Sequence, residues 1–299
     1  MMKKGLLLIA LVLISVSCRK RLDNFLFSND NSITEYLLDD YTGKTTLDVG
    51  DEYHVADSMI YKFMIPMNFG GEEINIAAIY VGDTSQISLD TVIMYCHGTA
   101  DHMDFYWPRQ KLYANLGSKH RFGVLMIDYP GYGLSDGNPT ESNMYASVNA
   151  GLNWLKKKGL TKERLVLFGF SLGTAPTCEV AGNASDYALA PGKFILEAPF
   201  ASSEVLVQDA ALLAMPASYF VNVKVDNAEE IKKATAPFLW IHGEADSYLS
   251  IHTHGEVVFG AYPLGSKTAV RVPGGDHENT PFVMGYSNYL QAILSFIEG

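Results

Sequence analysis

The chain has 299 residues, 48% hydrophobic, 18% charged and 12% aromatic, which suffices for one large domain or two small ones with a substantial core. That composition excludes intrinsic disorder, collagen and coiled coil. The net charge of −11 argues against a nucleic-acid partner, because binding a phosphate backbone needs a basic face.

The charge is uneven along the chain. Lys3, Lys4, Arg19 and Lys20 stand in residues 1–20 with no acid among them. After Lys3 and Lys4 comes an unbroken apolar run at 6–16 (LLLIALVLISV). A bilayer span takes about 20 residues, whereas a signal-peptide core takes about 7–15, so residues 1–17 read as a removable export signal. The sequence Ser15-Val16-Ser17-Cys18 resembles a bacterial lipoprotein signal, which implies lipidation of Cys18 and a membrane anchor on a periplasmic or surface-facing protein. Ser15 departs from the Leu usual at that position, and an ordinary secretory signal is the alternative reading. Residues 18–52 are polar and irregular and are expected to form a tether or N-terminal extension before a domain at 53–299. The remaining cysteines, Cys96 and Cys178, read as small buried hydrophobes without a disulfide framework.

From there the elements follow in order. Residues 58–66 (SMIYKFMIP) and 74–81 (INIAAIYV) predict an antiparallel hairpin turning at 68–71 (NFGG). Short apolar runs follow at 91–96, 123–127, 164–168, 193–196, 237–241 and 268–272. Their near-continuous hydrophobicity suits strands buried on both faces of a parallel sheet. Val148, Leu152 and Leu155 recur at helical spacing before Lys156–Lys158 and Gly159, and the tail 286–297 has the same period. The prediction is an α/β domain with a mainly parallel central sheet and helices on both faces. Residues 202–233 interrupt the rhythm and read as a small helical lid, with Leu206, Val207, Leu212, Leu213, Met215, Tyr219 and Phe220 as its apolar residues.

The chemistry sits at strand ends. Residues 169–173 (GFSLG) follow the run at 164–168 and form a G-x-S-x-G match in a strand–turn–helix context, with Ser171 as nucleophile. A serine hydroxyl needs a base to take its proton, and that base needs an orienting acid. On such a turn the acid and then the histidine follow in chain order, which selects Asp246 in HGEAD (242–246) and His277 in GGDHEN (274–279). An oxyanion hole needs backbone donors, expected from Leu172 after the nucleophile and Thr99 in the loop after the first parallel strand. Glu197 is an alternative acid. Glu244 and Asp276 read as solvated loop charges, and His97 and His242 as structural histidines. His252 and His254 lack an accompanying HExxH or Cys pair, so no metal is expected, and acyl transfer of this kind needs no organic cofactor.

With these blocks and DYPGYGLSDGNPTE (128–141), the chain resembles serine hydrolases of the α/β-hydrolase superfamily over roughly 55–299. The 128–141 block is similar to a branch containing membrane-associated lysophospholipid lipases and protein depalmitoylases. That resemblance implies a small-molecule or lipid acyl ester or thioester as substrate. Thr99 departs from the branch, where Asn is common. A peptidase or amidase using the same triad, and a non-catalytic ligand-binding member of the fold, stand as alternatives.

Overall fold

The structure, a computed structural model, describes residues 26–117, 122–211 and 223–299. The expected export signal at 1–17, Cys18, and the lid residues Leu212, Leu213, Met215, Tyr219 and Phe220 lie outside the described residues.

An eight-stranded sheet organises the domain. In chain order the strands of the molecule are β1 (Ser28–Asn29), β2 (Ile60–Phe69), β3 (Glu72–Val81), β4 (Thr91–Cys96), β5 (Ala100–Asp101), β6 (Phe122–Ile127), β7 (Leu165–Phe170), β8 (Lys193–Glu197), β9 (Phe238–Gly243) and β10 (Lys267–Val272). The large sheet runs β10-β9-β8-β7-β4-β6-β3-β2, and β1 pairs with β5 apart from it. The β2–β3 and β3–β6 pairs are antiparallel and the rest of the large sheet is parallel. This is the α/β-hydrolase fold anticipated from the sequence. The hairpin turn is tighter than 68–71: Phe69 pairs with Glu72, and only Gly70 (φ 64°) and Gly71 (φ 88°) lie between the strands. Positive φ at both central positions matches the twist of the flanking strands and favours glycine.

The helices are α1 (Met103–Ala114), α2 (Glu141–Lys157), α3 (Thr174–Gly182), α4 (Ser203–Ala211), α5 (Asn227–Glu230), α6 (Gly255–Ala261), α7 (Thr280–Met284) and α8 (Tyr286–Glu298). Thr140 caps α2 by accepting the Asn143 N–H, and Lys156 and Lys157 sit in the last turn, against the negative end of the helix dipole. Two apolar layers sandwich the sheet. Val92, Met94, Leu165 and Leu167 pack with Val148, Leu152 and Leu155 of α2 on one face. Ile93, Tyr95, Val166 and Phe168 pack with Leu112 of α1 and Leu290 and Ile293 of α8 on the other. Strands buried on both sides read as unbroken apolar runs for this reason. Cys96 and Cys178 are free and buried, and desolvation pushes the Cys96 thiol up to about 12.

Residues 26–52 lie against the domain, unlike a free tether: Leu26, Tyr36, Leu38 and Leu47 are buried. Tyr36 donates to Asp128 at 2.6 Å, and the Leu37 and Leu38 N–H groups bond the Asp104 carboxylate. Of the lid region, α4 and α5 are described, and no helix among the described residues is long and apolar enough to cross a membrane.

The strand order sets the location of the site. The chain leaves β4 toward β6 on one side and returns to β7 on the other. Their carboxyl ends therefore flank a topological switch point, where a crevice opens.

Candidate active site

Phe170 ends β7 in extended conformation, and Ser171 turns abruptly to φ 51° before a short 3-10 turn leads into α3. A left-handed serine costs energy, and the packing around it sustains the strain. A Cβ at Gly173 would lie 1.9 Å from the Cys96 carbonyl oxygen, and one at Gly169 would lie 2.4 Å from the Gly173 oxygen. Only glycine lets residue 173 approach β4, and residue 169 approach the Gly173 carbonyl, this closely. Asp101 (φ 54°) and Ala198 (φ 47°) are also left-handed, so strain gathers at neighbouring strand exits.

The crevice brings together the side chains singled out in sequence. His277 Nε2 lies 3.0 Å from Ser171 Oγ, and His277 Nδ1 lies 2.9 Å from Asp246 Oδ2. A ring nitrogen facing a carboxylate carries the proton, so Nε2 is left to accept from the serine hydroxyl. Phe170 and Tyr248 flank the imidazole, with ring centroids 5.2 Å and 5.1 Å away. Ser171 and His277 line a cavity of about 420 Å³ with Tyr106, Phe170 and Tyr248.

Asp246 is surrounded by N–H donors. Oδ1 accepts from the Tyr248 and Leu249 backbone N–H groups at 2.9 and 2.7 Å. Oδ2 takes His277 and lies 3.3 Å from His242 Nε2. Trp240 Nε1–H donates to His242 Nδ1 at 3.3 Å, which puts the His242 proton on Nε2, where the Leu249 carbonyl shares it at 2.9 Å. Burial opposes ionisation of Asp246, but the bonds from His242 and His277 outweigh it and hold the carboxyl well below the usual carboxylate range. His242 is therefore structural, as the sequence indicated, and its structural role is to support this acid.

Other sequence assignments change. Asp276 is not a solvated loop charge. Its Oδ1 accepts from the Ser247 N–H and His277 N–H, each at 2.8 Å, and so fastens the Asp246 loop to the His277 loop. Those backbone bonds, the Ser247 one largest, lower its pKa. Glu244 is exposed. Glu197 is buried and accepts from Arg109 at 2.9 Å and from the Tyr289 hydroxyl at 2.6 Å. Arg109 also donates to the Glu278 carbonyl at 2.9 Å and lies 4.0 Å from the Phe170 ring centre, so it supports the loop and the ring beside His277. Sequence reading missed Arg109, since a lone basic residue on an unrecognised helix gives no signal. His97 is buried between Tyr106 and Tyr129, with Nδ1 2.8 Å from the Gly98 carbonyl and Nε2 3.2 Å from Asp128. Thr99 and Leu172 line one crevice wall with Ser171.

His252 pairs with Glu256 on the surface, and His254 accepts the Ala201 N–H, so the two do not form one ligand set. Asp30, Asp101 and His102 do gather possible ligand atoms within 4.8 Å. His102 Nδ1 accepts from the Asp104 N–H, leaving a proton on Nε2, which faces Asp30 at 3.8 Å. A protonated nitrogen offers no lone pair to a metal.

Comparison with known proteins agrees with this architecture. A family described as the alpha/beta hydrolase fold matches residues 91–193. The chain is 29% identical over 207 residues to the alpha/beta hydrolase domain-containing protein aho-3 of Caenorhabditis elegans, covering 69% of this chain and 57% of that one. It is 28% identical over 206 residues to the human alpha/beta hydrolase domain-containing protein 17C, again covering 69% and 57%. The match thus spans under two thirds of these relatives' length. Among solved structures, an esterase of Pyrococcus furiosus superposes with a TM-score of 0.65 at 11% identity, covering 91% of this chain and 97% of that one. Est1E of Butyrivibrio proteoclasticus, with ferulic acid bound, superposes with a TM-score of 0.58 at 17% identity over 78% and 97%. The chain has the α/β-hydrolase fold and is similar in sequence to alpha/beta hydrolase domain-containing proteins.

Proposed function

We propose that the protein is a serine hydrolase that cleaves a carboxylic ester or thioester through an acyl-enzyme on Ser171. The relay from Ser171 Oγ through His277 to Asp246, at 3.0 and 2.9 Å, carries this reading. Ser171 Oγ bonds to the acyl carbon as its proton passes to His277 Nε2, and Asp246 stabilises the imidazolium that forms. The Leu172 and Thr99 N–H groups receive the negative oxygen. His277 then protonates the leaving alcohol or thiol. A water attacks the acyl-enzyme with His277 again as base, which frees the acid and restores Ser171.

The substrate class is a lipid or other acyl ester, in keeping with the 128–141 block that resembles lysophospholipid lipases and depalmitoylases. Export and anchoring through Cys18 belong to the same proposal and would place the enzyme beside such substrates. A fluorophosphonate probe tests the mechanism. Wild type is expected to be labelled at Ser171 and to hydrolyse short p-nitrophenyl esters, and Ser171→Ala to lose labelling and about 10⁶-fold in kcat. An unlabelled, inactive wild type would overturn the proposal.

A further inference from the structure

Residues 26–30 carry no group in the relay, yet they pair with the loop that bears Thr99. β1 lies parallel to β5, with Ser28 opposite Ala100 and Asn29 opposite Asp101. The Ser28 N–H is shared between the Thr99 carbonyl and Thr99 Oγ1, each at 3.2 Å. That hydroxyl donates in turn to the Leu26 carbonyl at 2.5 Å. Farther along, the Asp30 N–H bonds the Asp101 carbonyl at 3.2 Å, and the Asp30 carbonyl accepts the Gly133 N–H at 2.7 Å. The Asn29 amide reaches the Gly131 carbonyl. The segment is thus clamped between the loops leaving β4 and β6.

This pairing bears on catalytic geometry. The Thr99 N–H belongs to the planar Gly98–Thr99 peptide, so its direction is fixed once that plane is fixed. His97 Nδ1 holds the Gly98 carbonyl at 2.8 Å on one side. Ser28 holds the Thr99 carbonyl on the other side, together with the Tyr132 hydroxyl at 3.0 Å. Leu26, only 3% exposed, also reaches the site. With Leu172, Phe200, Leu206 and Leu249 it closes a narrow apolar slot of about 10 Å³ bordered by Ser171 and Thr99.

We infer that the arm at 26–30 is a working part of the active site: the Thr99 hydroxyl, through the arm, positions the Thr99 N–H, and Leu26 sets the depth of the acyl slot. The inference rests on the serine-hydrolase reading above. It predicts that Thr99→Val, which removes the hydroxyl at constant shape, lowers kcat about 10- to 100-fold in the full chain. KM and Tm stay near wild type, because a misaimed oxyanion donor weakens the transition state more than the bound substrate. Thr99→Ser restores the rate. In a p-nitrophenyl ester series from acetate to decanoate, Leu26→Ala shifts preference toward longer acyl chains and Leu26→Trp toward acetate. A wild type that fluorophosphonate does not label overturns the hydrolase reading itself. A labelled wild type overturns this inference alone in either of two cases: Thr99→Val matches it in kcat, or loses kcat only together with Tm and without rescue by Thr99→Ser; or both Leu26 variants keep its chain-length order.

Discussion

Two buried carboxylates stand at the carboxyl ends of adjacent strands, and their surroundings give them opposite uses. Glu197 closes β8 and faces the guanidinium of Arg109 and the hydroxyl of Tyr289. Asp246 follows β9 and meets N–H dipoles from His242, His277, Tyr248 and Leu249. A formal cation already compensates Glu197, so that carboxylate has little field left for a proton arriving elsewhere. Dipoles stabilise Asp246 without cancelling its charge, which leaves it able to favour an imidazolium at His277 in the proposed proton transfer from Ser171. Position at a strand end is thus shared, and the partner's charge separates a supporting residue from a working one.

Exchanging each carboxylate for its amide should break the comparison in opposite directions. Asp246→Asn is expected to lower kcat per folded molecule about 10⁴-fold, as the His277 tautomer is lost, and also to cost stability at neutral pH. Glu197→Gln leaves the buried Arg109 without its counter-charge and should cost about 3–5 kcal/mol in a denaturant melt. Its kcat per folded molecule, corrected by active-site titration, should stay within about tenfold of wild type, the residual loss coming through the Arg109 contact to the Glu278 carbonyl. Equal kinetic losses in the two variants would erase the distinction.

The parallel strands were legible because burial on both faces leaves no polar residue to break the run, as in β4 and β7. The turn at Ser171 was legible because the bend needs glycine on both sides: Gly173 packs against the end of β4, and Gly169 against the Gly173 carbonyl and Thr177. Helix α1 was not. It is buried on nearly every side and carries Asp104, Arg109 and Gln110 inward, so no amphipathic period marks it. The arm at 26–30 was illegible for a different reason. A strand as short as Ser28–Asn29 has no alternation to detect, and its pairing runs largely through backbone groups common to every residue. Asp276 looked like a solvated charge because its partners are backbone N–H groups, one of them on a loop distant in sequence.

His242 sharpens the comparison most finely, through acid titration. Asp246 titrates below its ordinary value of 3.8 because hydrogen bonds to its charged form overcome the penalty of burial. A carboxylate whose pKa is depressed on folding contributes stability that is complete above the unfolded value and is lost as pH falls through the folded one. The stability gap between wild type and Asp246→Asn should therefore shrink as pH drops from about 5 toward 2. His242→Leu removes one donor and leaves burial to push the other way, so the loss should be smaller and should be finished at higher pH. His242→Gln, which can present an N–H from a similar place, should move it back. Urea melts across this range check the order, and Glu197→Gln should leave the midpoint unmoved because its carboxylate answers to Arg109. A midpoint equally displaced by Glu197→Gln would mean that Asp246 depends on the Glu197–Arg109 pair as much as on His242, and the division between supporting and working acid would fail.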